Sequence, residues 1–115
     1  MYKNLIDYEE AIARFDNSID LYKMLIPYWF EKKQFESSEL LTLEKKEDKK
    51  ACAEYVHAMK GAAKNLGANK LGKAAQHLEN LYTGREDGDT SEAIKEVQTL
   101  FDATSTALKE LQSTL

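Results

Sequence analysis

The stretch KKACAEYVHAMKGAAKNLGANKLGKAAQHLENLYTG, residues 49–84, reads as two amphipathic helices joined by a tight turn. Cys52, Val56, Met59, Ala63 and Leu66 recur at the spacing of one helical face, and Leu71, Ala74, Ala75, Leu78 and Leu81 repeat the pattern. Gly67 and Gly84 stand where a left-handed residue ends a helix, and Asp48 and Asn69 stand where a side-chain oxygen caps one. The spacing predicts helices over about 49–66 and 70–83. Gly61 does not fit this simple reading, because it falls inside the first helix, where glycine costs roughly 1 kcal/mol against alanine.

The flanking chain keeps the helical period. Asp7 with Glu10 three residues later predicts a short helix over about 8–15. From Ser18 a second helix is expected to run to about Glu44, roughly 40 Å at 1.5 Å per residue, kinked or interrupted at Pro27. Its first half, with Leu21, Tyr22, Leu25, Ile26, Tyr28, Trp29 and Phe30, is apolar on most sides. Such a segment needs more than one covering neighbour or leaves a patch for a partner. Tyr28, Trp29 and Phe30 are assigned mainly to the core, and EKKEDKK, residues 44–50, to a solvated turn. Asp89 with Glu92 opens a last helix to near Thr114, with Ile94, Val97, Leu100, Phe101, Leu108 and Leu111 on its apolar face. No alternating β-branched run occurs. The expected fold is all-α, an antiparallel up-down four-helix bundle with a short extra N-terminal helix as a lid, and residues 1–115 form a single domain.

Composition narrows the function classes. A net charge of −4, with the 16 Lys and Arg residues scattered, argues against nucleic-acid binding. Cys52 is alone, so it makes no internal disulfide or cysteine zinc site and is assigned to the core. The longest apolar run, Met24 to Phe30, is too short to cross a bilayer, and MYKNLIDYEE lacks the pattern of a signal peptide. A cytoplasmic, monomeric chain is expected. Glu54 and His57 make half of a di-iron motif, but His77 follows Ala74 where a second glutamate is needed. Metal is therefore set aside, and His77 is read as a surface residue.

His57 lies off the apolar stripe, on a face shared with Ala53, Lys60, Gly61 and Lys64 that should be open to solvent or a partner. Helical side chains lean toward the N-terminus, so a β-carbon at position 61 is expected to crowd His57 and glycine to clear it. Lys60 places a cation beside the imidazole, and Lys64 offers a second. A neutral, accessible imidazole next to cations suits a nucleophile that receives a phosphoryl group. On the residues alone, a plain surface histidine with a solvated lysine fits about as well.

HAMKGAAKNLGANKLGKAAQHLENL, residues 57–81, resembles the signature of histidine-phosphotransfer (HPt) domains: H-x-x-K-G-[SA]-[SA], an apolar residue and Gly, a Leu, then an L-E or L-Q pair. His57, Lys60, Gly61, Ala62, Ala63, Leu66, Gly67, Leu71, Leu78 and Glu79 occupy those positions. The resemblance implies a four-helix bundle that relays phosphoryl groups between response-regulator receiver domains or a hybrid sensor kinase. It makes His57 the phosphoacceptor, carries over the lysine and glycine to Lys60 and Gly61, and makes Glu79 the group that orients the imidazole. It implies a phosphocarrier with no cofactor of its own, the Mg²⁺ being the receiver's. This accords with the lack of a Gly-rich phosphate loop. One departure is Pro27, where the family keeps a continuous helix. The alternative is a non-catalytic bundle that docks and regulates a receiver or kinase, against which His57, Lys60 and Gly61 argue.

Overall fold

A computed structural model describes residues 2–115, so Met1, part of the N-terminal segment read against a signal peptide, lies outside the described residues. After a single 3₁₀ turn at Tyr2–Asn4 come six α-helices: α1 (Tyr8–Ala13), α2 (Ile19–Glu31), α3 (Ser37–Lys45), α4 (Lys49–Asn65), α5 (Asn69–Thr83) and α6 (Thr90–Thr114). The predicted starts hold where a side chain caps the helix. Asp7 accepts from Glu10 N at 3.1 Å, Ser18 from Leu21 N at 3.3 Å, Asp48 from Ala51 N at 3.0 Å and Asp89 from Ser91 N at 2.9 Å. Asn69 is not a cap: α5 already begins there, and Ala68 before it supplies no side-chain bond.

α2 and α3 together form one column of the bundle, antiparallel to α6. Lys23 bonds the carbonyl of Leu115, Trp29 donates to Ser105 Oγ at 2.9 Å, Ser37 N donates to Gln98 Oε1 at 2.9 Å, and Thr90 donates to Glu44 at 2.8 Å. α4 and α5 complete the ring, joined by the turn at 66–68, so that neighbouring columns alternate in direction. The stripes read from the sequence meet at the centre: Val56, Met59, Ala63, Leu71, Leu78, Val97, Leu108 and Leu111 are buried, with Leu81, Leu100 and Phe101 partly covered. Cys52 is buried among them.

The single long helix expected over 18–44 is instead two. Continuing the stripe of Tyr22, Ile26 and Trp29 by one more turn would bring Lys33, then Glu36, into the core. The chain leaves the helix at Lys32 (ψ 132°) and inserts Phe35, which packs on Tyr55 and Phe101 with ring centroids 5.8 and 6.0 Å apart. Helix then resumes, and Leu40 restores the stripe. Pro27 sits inside α2, not at the break. The Tyr28-Trp29-Phe30 cluster also divides. Trp29 is buried and stacks on Phe101, whereas Tyr28 is 60% exposed and Phe30 lies under the Lys109 ammonium.

The 3₁₀ turn and α1 close the end of the bundle at the α4–α5 turn. Asp7 N donates to the Gly67 carbonyl at 2.9 Å, and Arg14 caps the Lys64 carbonyl at 3.0 Å, a favourable place for a cation at a helix C-terminus. Gly67 has φ +80°, and a Cβ there would lie 2.5 Å from the Asp7 carbonyl oxygen. Gly84 has the same φ, but a Cβ there would meet nothing within 4 Å. Gly84→Ala should therefore cost only the left-handed penalty of about 1–2 kcal/mol, and Gly67→Ala distinctly more. Urea unfolding of the two variants checks this; equal losses would contradict the close lid contact.

Candidate functional site

α4 sets two residues of opposite character on adjoining sides of its buried stripe. Val56, Met59 and Ala63 point fully inward, and His57, one residue beyond Val56, turns outward with its side chain 65% exposed. Lys60 departs from the expected open flank. It lies four residues after Val56 and three before Ala63, at the edge of the stripe facing α5, and its side chain is only 11% exposed. A buried ammonium requires partners, and α5 supplies them: Glu79 Oε1 at 2.7 Å and Gln76 Oε1 at 2.8 Å.

Glu79 follows the core residue Leu78, at the rim between α4 and α5. Its second oxygen, Oε2, lies 3.0 Å from His57 Nδ1. Burial pushes this carboxyl up, but the Lys60 ammonium and the His57 bond outweigh it and hold the group below its ordinary value. An ionised carboxylate only accepts hydrogen bonds, so His57 Nδ1 must donate. In the neutral ring, Nε2 then carries the lone pair. His57, Lys60 and Glu79 thus form one hydrogen-bonded unit across two helices.

Gly61 and Lys64 stand differently. A Cβ at Gly61 would meet no other side chain within 4 Å, so the expected crowding of His57 within this chain does not occur; the position is open space on the His57 side of α4. Lys64 is not drawn into the unit. Its stem packs toward Gly72 of α5, where an added Cβ would lie 3.2 Å from Lys64 Cγ. The groove beside His57 is lined by the small residues Ala53 and Ala58, with Glu54, Glu79, Tyr82 and two cations, Lys49 and Lys50. These lysines belong to the stretch read as a solvated turn. Seven residues, two turns of helix, separate Lys50 from His57, and that spacing is the signal that places it on the same face. Gln76 was also missed, although it precedes Glu79 by three residues on α5. His77 is on the surface as expected, but its Nδ1 is held 3.0 Å from Glu86.

Among the described residues, no group of three or more His, Cys, Asp or Glu is placed to hold a metal, and no helix is long and apolar enough to cross a membrane. Comparison with curated proteins and with solved structures returned no match. A family model, the Hpt domain, matches residues 7–113, nearly the whole chain, and the chain belongs to that family. The family's work is histidine phosphotransfer in phosphorelays, in company with receiver domains and kinases.

Because the Glu79 carboxyl is lowered in the folded chain, the stability it contributes is present above the unfolded glutamate value of about 4.3. It is lost as pH falls through the lower folded value. Glu79→Gln should thus be less stable than the parent near neutral pH, and the gap should close in acid. Denaturant midpoints across that range read this directly; a gap that widens in acid would contradict the ion pair.

Proposed function

We propose that this Hpt-family chain carries a phosphoryl group on His57, taken from the aspartyl phosphate of one receiver and passed to the aspartate of another. The observation that supports it most is the tethered imidazole: Nδ1 bound to an ionised Glu79, with the ring exposed at a groove lined by Ala53, Ala58 and the cations Lys49 and Lys50.

In the forward step the Nε2 lone pair attacks phosphorus opposite the aspartyl oxygen. The N–P bond forms as the O–P bond breaks, the aspartate leaves as carboxylate, and the Nδ1 proton remains on the ring facing Glu79. Positive charge on the imidazolium is offset by that carboxylate. Reversal against a second receiver regenerates neutral His57. Phosphoryl transfer depends on alignment and charge stabilisation more than on covalent machinery. The magnesium ion and the acyl phosphate belong to the receiver in this reading. The roles on this chain divide by position. Lys60, buried on Glu79, acts through that carboxylate by keeping it ionised and fixed. Lys49 and Lys50 are the cations that face an incoming phosphoryl group across the groove, whereas the stem of Lys64 packs toward Gly72. Gly61 leaves the surface flat where the receiver's loops must approach.

Incubation with radiolabelled receiver domains from the same organism, charged in Mg²⁺, should transfer label to the wild-type chain and none to His57→Gln. Labelling of His57→Gln, or receiver binding without any transfer, would overturn the reading; the second result would favour a docking module. Lys60→Ala should slow transfer by up to roughly a hundredfold, the scale of a misplaced reacting group. Gly61→Ala should raise helix stability by up to about 1 kcal/mol yet slow transfer. Wild-type rates in Gly61→Ala would remove access as the reason for the glycine.

A further inference from the structure

The hydrogen bonds that hold Lys60 do not stop at Gln76. Gln76 Nε2 donates to Asn80 Oδ1 at 2.8 Å, and Asn80 Nδ2 donates to Glu86 Oε2 at 2.8 Å. Glu86 lies just beyond the end of α5, and the backbone fixes it there: Arg85 N and Glu86 N both donate to the Asn80 carbonyl, at 3.0 and 3.2 Å. Its other oxygen accepts from His77 Nδ1. A continuous polar chain therefore runs from His57 through Glu79, Lys60, Gln76 and Asn80 to Glu86.

Its direction is set from both ends. An ammonium can only donate and an ionised carboxylate can only accept. The Asn80 and His77 bonds hold the Glu86 carboxyl below its ordinary value, so it is the accepting end. Lys60 obliges Gln76 to turn its carbonyl toward the ammonium, which leaves the Gln76 amide NH₂ for Asn80. Glu86 obliges Asn80 to turn its NH₂ outward, which presents the Asn80 oxygen to Gln76. Either amide reversed would set NH₂ against ammonium or oxygen against carboxylate. Each amide thus reinforces the orientation of the other, and the half-buried Gln76 cannot turn away from Lys60 without breaking the series.

We propose that Gln76 and Asn80 are positioning residues for His57. Anchored on Glu86, they hold the Lys60 ammonium on Glu79 Oε1, which keeps Glu79 Oε2 on His57 Nδ1 and the accepting Nε2 bare. The proposal rests on the reading of His57 as phosphoacceptor only for its consequence in transfer. The positioning itself is read in the unphosphorylated chain without a partner.

Long-range proton–nitrogen NMR of the ¹⁵N-histidine-labelled full chain, in mildly alkaline solution, reports which ring nitrogen carries the proton. Wild type should show the Nδ1–H form. Gln76→Leu and Asn80→Leu should raise the Nε2–H fraction severalfold and slow phosphotransfer. Asn80→Asp, nearly the same size but with an oxygen set against the Glu86 carboxylate in place of the NH₂, should shift the ring signature too, which loss of packing alone would not do. Folded leucine variants with the wild-type tautomer would overturn the proposal. Glu86→Ala, an exposed change, gives the same readout should the helix substitutions unfold the chain. A shift toward Nε2–H supports the anchor, and wild-type behaviour overturns it. A shifted tautomer in a chain that never accepts phosphate would instead count against the proposed function alone.

Discussion

One carboxylate between two helices organises this protein. Glu79 is shared by the ammonium of Lys60 and the imidazole of His57, and each bond constrains the other. Taking an ammonium and a carboxylate out of water is costly, and attraction between them often no more than offsets that loss. The pair therefore adds little over an apolar pair in its place, although losing Glu79 alone leaves the Lys60 ammonium buried and unpaired. Its effect is geometric: with Lys60 on one oxygen, the other oxygen has a fixed place, and His57 must meet it with Nδ1. An exposed imidazole on an unconstrained surface would exchange tautomers and rotamers freely.

The bundle exists around that carboxylate as a matter of register. Two opposed stripes, one on α4 and one on α5, lock the helices face to face, and the short turn at Gly67 sets how far each slides past the other. Gly67 accommodates the left-handed backbone and the Asp7 carbonyl where no side chain fits. The lid formed by α1 then closes that end, with Arg14 on the Lys64 carbonyl in the last turn of α4. On the far side the Phe35 insertion joins α3 to both Tyr55 of α4 and Phe101 of α6. Packing thus determines the helix register, the register brings Glu79 to Lys60, and that contact orients the histidine.

Much of this was legible in periodicity. The apolar positions of α4, α5 and α6 face the core as spaced, because a helix of this kind has one way to bury a stripe. The break between α2 and α3 was not legible by counting helix formers, since residues 32–36 contain neither glycine nor proline. It follows from what a continuous helix would bury, Lys33 and Glu36, which only the assembled bundle penalises. Lys60 was misjudged for a related reason. Its charge suggested solvent, while its spacing from Val56 and Ala63 pointed to the helix interface, and spacing prevailed because α5 supplied Glu79 and Gln76. The pairing of Gln76 with Asn80 and Glu86 depends on a loop whose path no local signal specifies.

Function in this protein depends on which imidazole nitrogen of His57 is free to react. The most direct measurement is the site of the N–P bond after phosphorylation of the intact chain with phosphoramidate, read by phosphorus–proton and nitrogen NMR. The Glu79 tether predicts phosphate on Nε2 of His57, with the proton still on Nδ1. Phosphate on Nδ1, or on His77 in place of His57, would contradict it.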